Sequence, residues 1–480
     1  MVNEQPLVYT EMPQHEIQWC SVALSEVVAS GKRLEASVFN PKGRNARKAI
    51  SICKWKAVPL CGNGGLATAY VGARFKRIWL EKAGLPIYQP SSITDVKPSP
   101  DGYLSTSTNI NLDSLRVRKG QILLSCSGTI GKVCLVSKTL ASQIFSHDLI
   151  RMDAVSTLDV GYVYTFLRSE IGNTLLQTSN YGAVVQHIEP EHLADIPIPN
   201  PPDEIKSKIN DLIMRSFELR DESNELIDKA TAILIKELKI PPLDDIQTKQ
   251  LEGDVNAYSV KLSNHSGRLD ASYHVPLVTA IIEHIEKHAA ELTTVGDERV
   301  SKEIILPGRF KRVYVEEREG CTFIGGKQIY ELDPYGKKYL SRVHHGKRIK
   351  AQLELVENMT LITCSGTIGK VTLVPRHWNN WAASQHIIRI VPADVDIAGY
   401  ISVFLASDYG RKLITRFTYG SVVDEIDDNH VSQIPFPILK NREAQTEINR
   451  LALNANELRY RAYQLEQEAM QIMNDEVICR

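Results

Sequence analysis

The sequence lacks the cysteine spacings of a metal site and the long apolar runs of a membrane protein. Its eight cysteines include no CxxC pair and no Cys/His cluster at ligand spacing, which predicts buried, reduced thiols rather than a zinc site. No apolar run approaches the ~20 residues that span a bilayer, and the polar first residues carry no signal-peptide pattern. We therefore expect a soluble, cytoplasmic protein with no metal and no membrane partner.

Catalytic signatures are also missing. The CSGTIGK segment has two residues between its glycines where a Walker phosphate loop has four, and valine follows its lysine. Asp203 follows Asn200-Pro201-Pro202 where an adenine methyltransferase has an aromatic residue, and Gly62–Ala67 matches GxGxxA only loosely, without strand-loop-helix context. The sequence contains no HExxH, no GxSxG and no convincing nuclease carboxylate cluster. These absences predict a chain that is not an enzyme by itself.

The net charge of -1 gives no overall nucleic-acid signature, but the charge is unevenly distributed. Residues 51–100 hold 7 basic and 2 acidic side chains, and Arg309–Lys350 holds 11 basic and 5 acidic ones. Residues 201–254 are acidic, with 8 basic and 13 acidic side chains. The two basic stretches could contact phosphates. A merely solvated surface is the alternative that charge alone leaves open.

A long internal repeat dominates the chain. LLSCSGTIGKVCLV at Leu123–Val136 returns as LITCSGTIGKVTLV at Leu361–Val374, 238 residues later. Around it, GKRLEAS matches SGRLDAS, Phe75-Lys76-Arg77 matches Phe310-Lys311-Arg312, and a Tyr-Gly pair precedes IPIP and IPFP in turn. This period is far longer than the ~20–50 residues of a solenoid unit, so it indicates a duplicated domain.

The order of turns, β-rich runs and helical stretches defines the predicted architecture. In each copy, short apolar runs separated by Gly, Ser, Asn and Pro precede a proline-rich segment and then a helix. We predict an α+β chain with two tandem pseudo-symmetric domains at residues 1–200 and 255–437. A first long helix is expected at 201–240, a linker at 241–254 and a second long helix at 438–480.

Both predicted helices carry a seven-residue repeat in which large and small residues alternate. The large positions include Leu212, Leu219, Leu226, Leu451, Leu458 and Leu465. The small positions include Ser216, Ser223, Ala230, Ala455, Ala462 and Ala469. A leucine row beside small residues permits close approach, so we predict that the six leucines pair the helices as an antiparallel coiled coil of ~50 Å. Packing of each helix on its own domain is the alternative.

Together these features resemble the specificity subunit of type I restriction-modification systems. The resemblance rests on the duplication, RLEAS and RLDASY, SGTIGKV, the Tyr-Gly segment before IPIP or IPFP, and the helix after each copy. It covers nearly the whole chain, although Val38-Phe39 stand where the second copy has Tyr273-His274. It implies two target-recognition domains that each read half of a bipartite double-stranded DNA site, joined by helices that dock two methyltransferase subunits.

The resemblance also implies the cofactors and further partners. Restriction and translocase subunits would bind through the methyltransferase subunits. S-adenosylmethionine, ATP and magnesium would be bound by those partners, and this chain would bind no cofactor. Whether the complex cuts DNA or only methylates it is left open.

Candidate DNA contacts follow from the resemblance and from side-chain chemistry. Lysine and arginine suit phosphates, arginine suits guanine, and Asn or Gln suits adenine. The phosphate candidates are Lys76, Arg77, Lys311 and Arg312, followed by Thr129, Lys132, Thr367 and Lys370 in the repeated turns. A purely structural role of those turns is an equal alternative. The candidate base contacts are Thr106, Thr108, Asn109, Asn180, Tyr181, Gln186, Arg342, His344, His345 and Tyr419.

Three alternatives are open at this point. A related system, in which methylation and cleavage share one partner polypeptide, would have a similar specificity chain, and neighbouring genes would distinguish it. A tandem protein- or carbohydrate-binding scaffold would also use a duplicated β-rich domain and would not bind duplex DNA. A cryptic methyltransferase or nuclease would have to act as the purified chain alone.

Overall fold

The structure, a computed structural model, describes residues 21–29, 39–80, 84–108, 111–179, 186–246, 257–261 and 267–478. Helices and strands are interspersed along these residues, so the predicted mixed class is confirmed. No helix in the described ranges is both long and apolar enough to cross a bilayer. The predicted contacts Asn109, Asn180 and Tyr181, and residues 247–254 of the predicted linker, lie outside the described residues.

We call the described residues 21–200 the first half of the chain. Its helices are α1 (Leu24–Ala29), α2 (Pro41–Ser51), α3 (Asp159–Arg168) and α4 (Glu170–Thr178). Its strands are β1 (Ala57–Pro59), β2 (Ala67–Val71), β3 (Trp79–Leu80), β4 (Leu85–Tyr88), β5 (Gly102–Leu104), β6 (Ile122–Ser125), β7 (Val133–Leu135), β8 (Ile144–Phe145), β9 (Leu149–Ala154) and β10 (Pro197–Pro199). The first long helix, α5 (Asp203–Leu238), follows.

We call the described residues 257–441 the second half. Its helices are α6 (Pro276–His288), α7 (Arg342–Arg348), α8 (Val395–Ala406), α9 (Asp408–Thr415) and α10 (Asp428–Ser432). Its strands are β11 (Glu291–Thr294), β12 (Ser301–Ile305), β13 (Tyr314–Val315), β14 (Gly320–Ile324), β15 (Lys338–Ser341), β16 (Thr360–Thr363), β17 (Val371–Leu373), β18 (Ala382–Ala383), β19 (Ile387–Pro392) and β20 (Pro435–Ile438). The second long helix, α11 (Arg442–Ile472), follows.

Shorter helical turns connect these elements. Those of 3-10 type are Pro90–Ser92, Leu112–Leu115, Pro190–Asp195, Leu243–Asp245, Ala271–His274, Glu317–Glu319 and Arg376–Trp378. Two π-helical turns are Ile349–Leu353, after α7, and Met473–Ile478, after α11.

Both halves have the same strand order. An antiparallel four-stranded sheet is ordered β2-β9-β6-β7 in the first half and β12-β19-β16-β17 in the second. A further four-stranded sheet is ordered β3-β5-β4-β8 or β13-β15-β14-β18, and its last pair is parallel in both halves. A two-stranded pair, β1 with β10 or β11 with β20, completes each half. The repeat in the sequence is therefore also a repeat of topology.

The repeated segment supplies the most buried strand of each half. All four residues of β6 are buried, because alternate side chains of a strand point to opposite faces and both faces are covered. Ile122 and Leu124 pack in the cluster that contains Phe166 of α3. Leu123 instead packs with Phe145 of the other sheet. The segment is apolar because it is covered on both sides.

Each long helix is fastened to the half that precedes it. Asn210 of α5 accepts a hydrogen bond from Gly161 N at 2.9 Å, and Asn449 of α11 accepts one from Gly399 N at 2.7 Å. A Cβ atom added at Gly161 would lie 2.7 Å from Asn210 Cα, so the absence of a side chain permits this approach. Each helix thus does pack on its own half.

The far end of each long helix lies in the core of the other half. Ala230, Leu234 and Leu238, at the end of α5, belong to the second half's apolar core. Ala469, at the end of α11, belongs with Met473 to the first half's core. The helices therefore run in opposite directions and exchange their ends between the halves.

Small residues form the closest part of the contact between α5 and α11. Ser216, Ser223, Ala230, Ala455, Ala462 and Ala469 are all fully buried. Ser216 Oγ donates to Ala462 O at 2.8 Å, so a side chain of α5 reaches the backbone of α11. Among the larger predicted seam residues, Leu219 and Leu451 are buried, whereas Leu212, Leu226, Leu458 and Leu465 are partly buried around them.

The helix ends differ by a few residues from the predicted ranges 201–240 and 438–480. Helix α5 begins at Asp203 after Pro202 and ends before Lys239, which has φ 49°. Helix α11 begins at Arg442, because Ile438 is still paired in β20 and Asn441 accepts from Ala444 N as the N-cap. The second helix therefore begins four residues after position 438, the start of the predicted segment.

Candidate nucleic-acid interface

The repeated SGT turns are held in the same conformation in both halves. Gly128 and Gly131 have φ of 70° and 96°, values that favour glycine. Ser125 Oγ donates to Thr129 O at 2.6 Å and accepts from Lys132 N at 2.9 Å. In the second half Thr363 Oγ1 makes the same two hydrogen bonds, with Thr367 O and Lys370 N. The turns thus expose Thr129 and Thr367 at their tips.

In the second half, three loop segments cluster around the SGT turn: the hairpin Tyr419–Glu425, the basic segment Arg309–Arg312 and the loop Ser384–His386. The hairpin Tyr419–Glu425 closes with two backbone hydrogen bonds between its end residues, at 3.0 and 2.8 Å. Gly366 N of the SGT turn donates to Asp424 O at 2.9 Å. Arg309 Nη2 then donates to Glu425 Oε1 at 3.3 Å, which brings the basic segment Arg309–Arg312 beside the hairpin.

The short loop Ser384–His386 completes this cluster, which we call the second face. Arg312 Nη2 donates to Gln385 Oε1 at 2.7 Å, and Gln385 Nε2 lies 3.2 Å from His386 Nε2. Burial lowers the pKa of His386, and Arg312 lowers it further. The imidazole is therefore neutral at pH 7. The second face combines the basic segment Arg309–Arg312, whose Arg309 pairs with the Glu425 carboxylate, with the neutral amide of Gln385 and the imidazole of His386.

The first half brings the corresponding segments together with different chemistry. Gly128 N donates to Gln186 O at 3.3 Å, and Ser127 is bridged to His187. Arg77 Nη2 binds Asp148 Oδ2 at 3.0 Å in the loop Ser146–Asp148. A carboxylate thus offsets the arginine where the second half has a glutamine amide. We call this cluster the first face.

A buried arginine supports the loop of each face from below. Arg151 of β9 donates to the carbonyls of Leu115, Phe145 and Ser146 at 3.1–3.3 Å. Arg389 of β19 donates in the same way to Ile387 O, Leu353 O and Ala383 O. Both side chains are fully buried, and burial lowers the pKa of Arg389 to about 9. These arginines hold the loop backbone where the two sheets of each half meet.

Several predicted contacts lie exposed on or near these clusters. The exposed ones are Lys76, Thr106, Thr129, Gln186, Lys311, Arg342, His344, Thr367 and Tyr419. Arg342 Nε also donates to Gly320 O, and His344 Nδ1 lies 3.0 Å from Ser341 Oγ. Tyr419 lies at the base of the second-face hairpin.

Other predicted contacts have structural partners, which corrects their expected roles. Thr108 is buried, with 4% of its surface exposed, so it cannot reach a base. Arg77 and Arg312 are half-buried and bound to Asp148 and Gln385. His345 Nε2 accepts from Val313 N at 3.2 Å, beside the Phe310 ring. These bonds fix the positions of Arg77, Arg312 and His345 within the faces.

The lysines of the repeated motif are also corrected, because both face the contact between the halves. Lys132 Nζ binds Glu331 Oε1 of the second half at 3.2 Å, and only 17% of the lysine side chain is exposed. Lys370 Nζ lies 5.1 Å from the centre of the Tyr330 ring. Neither lysine is oriented to hold a DNA phosphate.

Sequence reasoning missed the residues that only tertiary contacts bring to the faces. His147, Asp148, Gln385 and His386 lie in loops that a repeat alignment alone could have paired. Trp79, on the edge strand β3, was also missed, although its side chain is 48% exposed. The signal available in the sequence was a tryptophan two residues after the basic segment that ends at Arg77.

The described residues contain no group of three or more His, Cys, Asp or Glu side chains placed to hold a metal ion. Cys61, Cys126, Cys134, Cys321 and Cys364 are buried, and Cys53 is partly buried. Burial raises the pKa of Cys126 to about 11 and that of Cys364 to about 12. The thiols of Cys126 and Cys364 are therefore protonated at neutral pH and contribute to packing.

The contact between the halves contains a titratable carboxyl group. Asp95 pairs with Glu331 as an isolated antiparallel β-bridge. The pKa of Asp95 is raised from 3.8 to about 7, chiefly by burial and also by the Glu331 and Asp101 carboxylates, against the lowering effect of Lys370 and Lys132. The folded chain then binds more protons than the unfolded chain between these values, so stability falls as the pH rises through this window.

We expect Asp95→Asn to remove part of this pH dependence. A shift of about three units corresponds to ~4 kcal/mol, which partial exposure reduces to about 2 kcal/mol. Urea unfolding at pH 5 and pH 8 should show a smaller difference in unfolding free energy for the variant by that amount. Asp113→Asn, at an ion pair whose carboxylate is 78% exposed, is the matched control and should leave the difference unchanged. Equal pH dependence in Asp95→Asn and the unmodified chain would contradict the assignment.

Comparisons with known proteins complete the description. No protein-family model matches the sequence, and no curated protein matches it. The S subunit of a type I restriction-modification system from M. genitalium is similar at 13% identity, over 89% of this chain and 96% of that one, with a TM-score of 0.33. A chain from a type I R-M system has 13% identity, coverage of 85% and 97%, and a TM-score of 0.27. The HsdS subunit from Thermoanaerobacter tengcongensis has 14% identity, coverage of 86% and 96%, and a TM-score of 0.26.

Proposed function

We propose that this chain is a DNA-specificity subunit of the type I restriction-modification kind, in which each half contacts one part of a bipartite duplex site. The observation that carries the proposal is the repeated loop cluster. The two halves have the same strand order, and each presents a face built from the corresponding loop segments. The exchanged helix ends join the two halves into one frame. Two similar faces at a fixed separation are suited to two segments of one DNA duplex.

Exposed basic side chains beside each face support duplex DNA as the ligand. Lys76 lies in the segment that ends at Arg77 of the first face, and Lys311 precedes Arg312 of the second. Contacts to phosphates position a protein on the duplex, while side chains that reach the grooves read the bases. The lysines would thus supply affinity, and the loops beside them would supply specificity.

The chemical difference between the faces supports an asymmetric target. Asp148 lies in the loop of the first face, whereas Gln385 and His386 lie in that of the second. In the major groove, a carboxylate accepts from cytosine, while a glutamine amide suits adenine. The same frame would therefore read two different half-sites.

The two long helices would form the antiparallel coiled coil that sets the spacing. Their outer surfaces carry exposed charged side chains, and residues 201–254 have an acidic balance. These surfaces would dock two methyltransferase subunits, through which restriction and translocase subunits would bind. S-adenosylmethionine, ATP and magnesium would belong to those partners, and this chain would itself be non-catalytic.

Mapping methylated adenines across the genome, with and without the gene, tests the proposal. We expect the loss of one bipartite motif, which would also give both half-sites. An unchanged methylome, together with no duplex binding by the chain and its methyltransferase partners, would contradict the proposal and favour a non-DNA scaffold. Loss of the motif when the partner is a single methyltransferase-nuclease polypeptide would instead assign the chain to the related two-part system.

We expect the double substitution Lys76→Ala and Lys311→Ala to flatten the salt dependence of DNA binding. Each phosphate contact contributes about 0.9 to the slope of log K against log salt concentration, so the slope should fall by about 2. Fluorescence anisotropy of the assembled complex over a salt series measures it. Lys302→Ala, at an exposed position of β12 outside the long helices, serves as the matched control. An identical slope in the double variant would show that these lysines do not contact phosphates.

A further inference from the structure

Besides the long helices, the two halves touch through a short segment of the second half. We call Tyr330–Lys337 and the residues that it contacts in the first half the inter-half tie. Val96 N donates to Tyr330 O at 2.8 Å, and Asp95 is bridged to Glu331. The tie thus begins with backbone pairing between the halves.

An ion pair forms the centre of the tie. Arg168, the last residue of α3, binds Asp333 Oδ2 at 3.2 Å, with only 12% and 14% of the two side chains exposed. The Arg168 guanidinium carbon also lies 4.1 Å from the centre of the Tyr335 ring. A partly desolvated pair that also packs on an aromatic ring fixes orientation more strongly than an exposed pair does.

Tyr335 connects this ion pair to the repeated motif of the first half. Its hydroxyl accepts from Val133 N at 2.9 Å and donates to Val133 O at 3.3 Å. Val133 directly follows Lys132, which binds Glu331. The second half therefore binds the first SGTIGKV copy at two successive residues, Lys132 and Val133.

The tie is asymmetric. Lys97 is the first-half counterpart of Asp333, because each lies two residues after one member of the bridged pair Asp95 and Glu331. Lys97 forms its ion pair with Asp228 of α5, whereas Asp333 pairs with Arg168 across the contact. In the second motif, Val371 N donates to the Tyr330 hydroxyl of the same half at 3.1 Å. The first half is thus held at its α3 end by one specific connection, in addition to the helices.

We propose that the inter-half tie narrows the range of half-site spacings that the chain accepts around the spacing set by the long helices, a role that rests on the proposed DNA-specificity function. DNA turns once in about 10–10.5 base pairs, so one extra base pair rotates a half-site by roughly 35° about the duplex axis. Helices joined only along a seam can bend or rotate slightly. The tie restricts this freedom, because it joins loops of the two halves to each other and, through Leu332, packs them against Leu219 and Ala462 of the helix pair.

Binding to duplexes with altered spacers tests the role of the tie. The assembled complex is measured on the mapped site and on the same half-sites with the spacer changed by one base pair. The unmodified chain should prefer the natural spacing by tenfold or more. Arg168→Met, which keeps an apolar contact with the Tyr335 ring, and Tyr335→Phe, which removes only the hydroxyl, should reduce this preference to about threefold or less. Preference for the half-site bases should persist.

A second measurement reports on the tie without DNA. Hydrogen exchange at the Val96 and Val133 amides, which both donate across the contact, should be faster in Arg168→Met, and that of Val133 in Tyr335→Phe, by up to about tenfold. Arg299→Met is the matched control, because Arg299 pairs with Glu291 and Asp297 within the second half. It should change neither exchange at these amides nor spacing preference.

The outcomes separate the tie from the proposed function. Unchanged spacing preference in both variants, with tight binding to the natural site, would overturn the tie's role in narrowing the accepted spacings and leave the proposed function intact. Unchanged exchange at both amides would overturn the contact itself. Failure of the unmodified complex to bind any spacer variant, with an unchanged methylome, would overturn the proposed function and the spacing role with it.

Discussion

Replacing Ala462 with leucine is expected to lower the free energy of unfolding by about 3 kcal/mol, the upper part of the range for overpacked cores. Ala462 is fully buried in the cluster that also contains Leu219 and Leu332, and its carbonyl accepts the Ser216 hydroxyl at 2.8 Å. A leucine side chain adds three carbon atoms at a position that is fully buried between the two helices. It must separate α5 from α11, which breaks this hydrogen bond and disturbs both exchanged helix ends.

Ala232→Leu is the matched control for this substitution. Ala232 is exposed on α5, so the same change there should alter stability by less than about 0.5 kcal/mol. Urea unfolding followed by circular dichroism measures both variants. If Ala462→Leu is as stable as the control variant, the helices do not approach as closely as the structure indicates.

The seam illustrates what the sequence could predict about this fold. Alternation of leucine with serine and alanine indicated close helix approach, because such periodicity depends on local spacing alone. Exchange of the helix ends was not predictable. An alanine such as Ala230 or Ala469 carries no sequence feature that tells whether it packs against its own half or the other one. Helix α5 begins at Asp203, after the N-cap residue Pro202, and α11 begins at Arg442, because Ile438 is still paired in strand β20.

The candidate site was less predictable than the fold. Charge and exposure were sufficient to identify Lys76 and Lys311, which lie on the surface as lysines usually do. The partner of Lys132 is Glu331, 199 residues away, and no local pattern encodes that contact. The repeated SGTIGKV segment encodes a turn geometry that is held by Ser125 and Thr363.

The second large effect is expected at Arg389, which lies beneath the second face. Replacing it with methionine should lower the free energy of unfolding by about 4 kcal/mol, because three buried carbonyls lose their donor at ~1–3 kcal/mol each and packing is only partly kept. Those carbonyls belong to Ile387, Leu353 and Ala383. Ala383 directly precedes the loop Ser384–His386, so the loop should also lose its fixed position.

The expected functional result is selective, which distinguishes a positioning role from general instability. At a temperature where the variant remains folded, discrimination among bases should fall at the half-site of the second face and persist at that of the first, where Arg151 supports the loop. Methylation of a library randomised at each half-site measures both. Arg376→Met, at a pair whose arginine is 48% exposed, is the control and should cost less than about 1 kcal/mol. Equal loss at both half-sites in Arg389→Met would mean that the buried arginine supports the whole frame, and not the loop that reads one half-site.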